Sequence, residues 1–137
     1  MNIQELRLGN AVSVEIRDDF NVPFTVTEIG HDVLWVSNSG GNVSTPVKTE
    51  MVTGIPISED TVKNLRGFVF DEPDELFYYY LDGISVEVDD NAVSVNIGMP
   101  EGEFNKVLPN ITQIHQLQNL IYDLNGGVML EYNTNAH

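Results

Sequence analysis

Cysteine is absent from this chain of 137 residues. The absence excludes disulfides, thiolate nucleophiles and most structural zinc sites, which depend on Cys ligands. No run approaches the roughly 18 apolar residues that a membrane span needs. The first residues lack the basic start and apolar core of a signal peptide, so we expect a cytoplasmic protein without a membrane partner.

Basic residues are scarce. Six Lys and Arg stand against 21 Asp and Glu, for a net charge of −15. Residues 67–105 contain ten acids and no Lys or Arg. Such a balance opposes direct binding to nucleic acids or anionic membranes and favours a partner with a basic surface.

We therefore predict that the acidic segment forms a partner-binding surface. A carboxylate-rich surface steers association with a basic groove and competes there with nucleic acid. The alternative is that the acids serve only solubility and the protection of sheet edges. The residues predicted to contact a partner are seven acids and one possible aromatic anchor: Asp71, Glu72, Asp74, Glu75, Glu87, Asp89, Asp90 and Tyr79.

The hydropathy pattern predicts an α+β fold in two parts. Over residues 1–56, short alternating strands separated by glycine-rich turns are typical of a small SH3-like β-barrel. In this part, strands are expected at 12–16, 24–29, 33–36 and, broken near Pro46, at 43–52. Residues 57–137 predict a short helix capped by Ser58, an antiparallel β-meander, a long helix and a last strand at 128–132.

The long helix is predicted over residues 110–127. Asn110 is a candidate N-cap with Gln113 three residues on, and Gly126 is a candidate stop. Apolar residues recur at helical spacing and predict one stripe that packs on the sheet, with the other side too polar for the core. The stripe consists of Ile111, Ile114, Leu117, Leu120, Ile121 and Leu124.

Residues that could perform chemistry are few. His115 shares a helical face with Gln118, Asn119 and Tyr122, but no acid or nucleophile lies nearby in the sequence, so we favour an exposed or sheet-packed face and expect no enzyme. The acidic turns lack the spacing of an EF-hand, and no phosphate-binding loop is present, so no metal or cofactor is expected.

Three aromatic residues in a row, Tyr78, Tyr79 and Tyr80, follow Phe77. They could stack on bases, but the region has no cations to attract nucleic acid. Alternation along a strand predicts that two of the four rings lie in the core and two on the surface.

Three segments resemble a family of small uncharacterised proteins of phages, prophages and mobile elements of Bacteroidetes-type bacteria. They are Ile-Gln-Glu-Leu-Arg-Leu-Gly-Asn at 3–10, Ile-Pro-Ile-Ser-Glu-Asp at 55–60 and Ile-His-Gln-Leu-Gln-Asn-Leu at 114–120. The resemblance implies a genomic setting and carries over no catalytic residue. Phage accessory proteins of this size are often inhibitors of host defence, including anti-CRISPR proteins. The resemblance thus suggests a CRISPR effector nuclease as the partner, against the alternative of a non-inhibitory structural or regulatory module that binds through its barrel or its His115 face.

Overall fold

A computed structural model describes residues 3–38, 43–99 and 102–134. Predictions for the turn at 39–42, the loop at 100–101 and the end of the tail at 135–137 lie outside the described residues. The chain is a mostly-β α+β fold with two five-stranded antiparallel sheets and one helix of substantial length. No helix of the described part has the length and apolar character to cross a membrane.

The first sheet is curled into a half-barrel with the strand order β4-β3-β2-β1-β5. Its concave side holds a core that includes Val12, Val26, Leu34 and Val36, all at most 1% exposed. The strands are β1 (Ala11–Arg17), β2 (Phe20–Ile29), β3 (Val33–Ser37), β4 (Thr45–Lys48) and β5 (Val52–Thr53).

Two prolines lie inside strands of this sheet, where the sequence predicted interruptions. β2 begins before Pro23, and its pairing with β3 begins only at Thr25, so the missing N–H of Pro23 removes no bond from that ladder. Pro46 lies in the edge strand β4, where proline is tolerated. The break in the predicted strand 43–52 is instead a 3-10 turn, Thr49–Met51.

The second sheet is a simple meander with the order β10-β9-β8-β7-β6. Its inner face carries Phe77, Tyr79, Val86 and Val88, which pack in a core shared with the helix. The helix α1 (Glu59–Val62), capped by Ser58 as predicted, precedes the sheet. The strands are β6 (Val69–Asp71), β7 (Leu76–Leu81), β8 (Ile84–Asp89), β9 (Ala92–Met99) and β10 (Gly102–Val107).

The long helix is shorter than predicted. α2 spans Ile114–Leu124, 11 residues, and its N-cap is Gln113 rather than Asn110. The reason is that residues 111–113 extend beside residues 55–57: Ile57 N–H donates to Thr112 O at 3.0 Å. Gln113 then forms a capping box with Gln116. At the other end Gly126 adopts φ +84, the left-handed conformation that ends the helix as predicted.

The last predicted strand, 128–132, does not form. The chain beyond α2 pairs with the segment after α1 through one bridge, Leu65 to Tyr132, with bonds from Arg66 N–H to Glu131 O and from Asn133 N–H to Asn64 O, both at 2.8 Å. Because it pairs with that segment and not with a sheet, no continuous ladder develops. The division of the chain at residue 56 stays a prediction.

Gly54 lies where the two sheets are joined, and it gives a testable prediction. A Cβ added there would overlap the side chain of Gln113, the N-cap of α2. We expect Gly54→Ala to lower the free energy of unfolding by about 1–3 kcal/mol, because backbone or cap must shift. Urea unfolding measures the loss. The exposed neighbour Thr53→Ala is the control and should change stability by about 0.5 kcal/mol or less. Equal losses in both variants would refute this packing role.

Candidate functional site

Six of the seven predicted acidic contact residues lie at one end of the second sheet. In a meander, successive turns alternate between the two ends. The β6–β7 turn, residues 72–75, and the β8–β9 turn, at Asp90, therefore share an end, whereas the β7–β8 turn lies at the other. We call the shared end, with its carboxylates, the acidic end: Asp71, Glu72, Asp74, Glu75, Asp89 and Asp90.

The carboxylates of the acidic end face water. All are exposed except Asp71, which is half-buried. Neighbouring strands lie about 4.8 Å apart, so the centres of the two turns are separated by two strand spacings, about 10 Å. At that distance, about one Debye length at 0.1 M ionic strength, the charges of the two turns repel one another.

No described cation neutralises this end. The side-chain ion pairs of Arg and Lys in the described part of the chain join Arg7 to Asp123, Lys63 to Asp60 and Arg66 to Glu131, all outside it. The negative potential of the acidic end is therefore uncompensated by ion pairs.

Two acids of this end have an unfavourable backbone conformation. Glu75 has φ 54° and Asp90 has φ 60°, in the left-handed region. Glycine and asparagine adopt this region with less strain than glutamate. At Glu75 the sequence therefore holds a charge where glycine would be more stable.

The two remaining predicted contacts lie elsewhere. Glu87 is on the outer face of the sheet, paired with Tyr78 and Ser94. Tyr79 is on the inner face, half-buried, with its ring centroid 5.7 Å from that of Phe68, so it packs against the core, away from the carboxylates of the outer face and the turns. The alternation prediction of two inward and two outward rings is confirmed, and the exposed phenol is Tyr80, at 67%.

The polar side of α2, predicted to be exposed or packed on the sheet, is buried against the start of the first sheet. His115 and Gln118 are both 0% exposed. The Gln118 carboxamide forms hydrogen bonds to the backbone of both segments that lie beside it. Its Oε1 accepts from Ala11 N–H at 2.7 Å, and its Nε2 donates to Gly9 O at 3.1 Å and to Leu130 O at 2.9 Å.

Neighbouring residues extend this docking contact. The buried Asn10 donates through Nδ2 to Asn119 Oδ1 at 2.8 Å, and Asn119 Nδ2 donates to Glu5 O at 2.9 Å. At the surface Arg7 pairs with Asp123 at 2.9 Å and lies over the Tyr122 ring. The helical face that carries His115, Gln118 and Asn119 is therefore a structural joint between α2 and residues 5–11.

His115 approaches one carboxylate. Its Nε2 lies 3.4 Å from Glu5 Oε2, and its Nδ1 has no hydrogen-bond partner in the described part of the chain. Burial lowers the pKa of His115, while the hydrogen bond and the charge of Glu5 act in the opposite direction. With no exposed surface, the imidazole cannot reach a substrate unless α2 moves.

The three segments that carry the resemblance meet at this joint. Residues 5–10 dock on α2, residues 55–57 pair with the chain just before it, and residues 114–120 form most of the helix itself. What the three segments share is thus a packing arrangement. This contact between α2 and residues 5–11 was not predicted from the sequence. The signal that could have indicated it is the presence of Asn or Gln residues in both segments.

Metal binding has no support in the described residues, where no three His, Asp or Glu side chains are grouped to hold one ion. The expectation of no metal and no cofactor stays a prediction.

Comparison with known proteins yields no relatives: no family model matches the chain, and neither a curated protein nor a solved structure matches it significantly.

The joint gives a second prediction. Gln118→Ala removes a carboxamide that holds three backbone groups, and those groups become unpaired in the core. We expect a loss of about 3–5 kcal/mol in the free energy of unfolding. Asp123→Ala, on the same helix but exposed, is the matched control and should cost about 1 kcal/mol or less. A loss for Gln118→Ala as small as that of the control would contradict the joint.

The His115 environment gives a third prediction. Because the pKa of His115 in the folded protein lies below its ordinary value of 6.5, the unfolded chain binds more protons than the folded one at pH values between the two pKa values. Stability should therefore fall as pH decreases below 6.5, with a slope of at most about 1.4 kcal/mol per pH unit. His115→Gln should flatten the slope in urea unfolding between about pH 6.5 and 5.5. A slope unchanged in this variant would assign the effect to other groups.

Proposed function

We propose that this protein is a non-enzymatic binding protein that docks on a basic protein surface through its acidic end. The observation that supports this most is the convergence of six exposed or half-exposed carboxylates from two separate turns at one end of the second sheet. Two turns that approach side by side present a broader negative surface than either alone, suited to a groove that otherwise holds nucleic acid.

The local energetics support a role beyond solubility. Six like charges within one end repel each other, and solubility alone requires only that charge be dispersed over the surface. A left-handed glutamate at Glu75 adds backbone strain to that repulsion. Both costs are offset if a partner's cations dock there.

The nature of the partner rests on the resemblance to phage and mobile-element proteins. We propose a host nucleic-acid-handling protein, specifically a CRISPR effector nuclease, inhibited in the bacterial cytoplasm by occupation of its nucleic-acid channel. Binding of this kind needs no catalytic residue and no cofactor. It also matches the absence of Lys and Arg between residues 67 and 105.

The first sheet is proposed to be an SH3-like barrel. The order β4-β3-β2-β1-β5 supports this, since the first strand lies between the second and the fifth and the sheet curls around its own core. The proposal leaves the acidic end, on the other sheet, as the contact region.

The alternative function is a structural or regulatory module in which the acids only maintain solubility. Exposed apolar side chains on the first sheet favour contacts there, including Ile16 at 55% and Phe20 at 44%. The α2 face that carries His115, the other contact surface considered for such a module, is buried and is not exposed to a partner.

Charge reversal tests the two functions. The variant Glu72→Lys, Asp74→Lys, Glu75→Lys and Asp89→Lys reverses four exposed charges of the acidic end. The matched control, Asp18→Lys, Glu28→Lys, Asp32→Lys and Glu50→Lys, reverses four exposed charges elsewhere and changes the net charge equally. Affinity capture from the bacterial host at several salt concentrations should recover nucleic-acid-binding proteins with the wild type and the control. Capture should be lost in the first variant.

A cleavage assay completes the test. Inhibition of DNA cleavage by the captured nuclease should require the acidic end and should weaken as added salt screens the charges. Equal loss of capture in both variants, or no loss in either, would contradict docking through the acidic end.

A further inference from the structure

The outer face of the second sheet carries a straight row of side chains across four strands. Tyr80 pairs with Ser85, Ser85 with Asn96, and Asn96 with Asn105. Directly paired residues of antiparallel strands lie on the same face, and strands are about 4.8 Å apart, so the row extends over about 14 Å. It contains one phenol, one hydroxyl and two carboxamides.

This row lines a groove of about 430 Å³, with Glu87 beside it and Gly83 at its end. The volume is in the range of small-molecule sites. Tyr80 is 67% exposed, so its ring is free to stack on a ligand. The groove is on the face opposite the core and apart from the acidic end.

We propose that this groove binds a neutral oligosaccharide. Hydroxyl and carboxamide groups both donate and accept hydrogen bonds, as sugar hydroxyls do, and Glu87 adds an acceptor. An exposed aromatic ring offers a flat apolar face for the C–H face of a pyranose ring. The row places these groups at regular intervals, as an extended chain of sugar units requires.

Other ligand classes fit the groove less well. The carboxylate of Glu87 repels phosphates, and no cation is described among the lining residues to attract them, which disfavours nucleotides. A wholly apolar ligand would leave the amides and the hydroxyl unpaired, at a cost of about 1–3 kcal/mol for each buried group.

The two carboxamides of the row, on β9 and β10, bond to each other. Asn105 Nδ2 donates to Asn96 Oδ1, while Asn96 Nδ2 has no hydrogen-bond partner in the described part of the chain. That N–H is buried, and turning the Asn96 carboxamide toward a sugar oxygen also moves its Oδ1 away from Asn105, so the bond between the two carboxamides is exchanged for bonds to the sugar. Binding would satisfy a donor that the free protein leaves unpaired.

Titration followed by NMR tests this site. Maltohexaose, cellohexaose and chitohexaose, each added to ¹⁵N-labelled protein at millimolar concentration, are the probes. At least one should shift the amide signals of Tyr80, Ser85, Asn96 and Asn105. Tyr80→Ala should weaken binding about tenfold, the size of one aromatic stacking contact, while Tyr80→Trp retains it.

The controls separate this site from the acidic end. Val107→Ser, exposed on the same face but outside the groove, and the four charge reversals of the acidic end should leave sugar binding unchanged. Failure of all three probes to shift the row, or equal weakening by Val107→Ser, overturns the proposal. Hexalysine is titrated in parallel: stronger shifts of the row by hexalysine than by any sugar would assign the groove to a protein partner and also overturn it.

Discussion

The fold depends on one carboxamide. Gln118 lies in the interior between the two parts of the chain and bonds to backbone groups of Gly9, Ala11 and Leu130. Buried backbone groups must be paired: Gly9 N–H and Asn10 O bond to Val26 in β2, whereas Gly9 O, Ala11 N–H and Leu130 O are bonded by Gln118. The side chain of a helix supplies what a neighbouring strand would otherwise supply. It thereby fixes how α2 sits on the first sheet.

With α2 held in this way, the second sheet has one face occupied and one free. The apolar stripe of the helix, with Ile114, Leu117 and Ile121 at 0% exposure, covers the inner face. The helix does not cover the outer face or the turns of the acidic end. The core, the acidic end and the Tyr80 groove therefore lie in different parts of the second sheet. Substitutions in one of them need not disturb the other two.

Sequence reasoning predicted the second sheet well and the joint poorly, for physical reasons. The predicted meander forms, with β7 and β8 joined at Asp82-Gly83, because alternation and a tight turn leave few registers. Because successive turns of the meander alternate between its two ends, six of the predicted acids lie at one end of the second sheet. Tyr79 was assigned to the surface because four consecutive aromatic residues do not reveal which alternate set faces inward. The helix start moved because residues 111–113 pair with a segment more than fifty residues earlier, which local capping signals do not report.

The joint also connects distant parts of the chain. Gln118 and Asn119 bond to residues that precede them by 107 to 114 positions. A ribosome releases the first sheet long before α2 is made, so residues 5–11 wait for their partner while the rest of the chain is synthesised. Loop closure over such a separation is entropically unfavourable until the second sheet has formed. The joint can therefore close only after residue 118 has been made, and a chain that stops earlier lacks the carboxamide that bonds to Gly9 and Ala11.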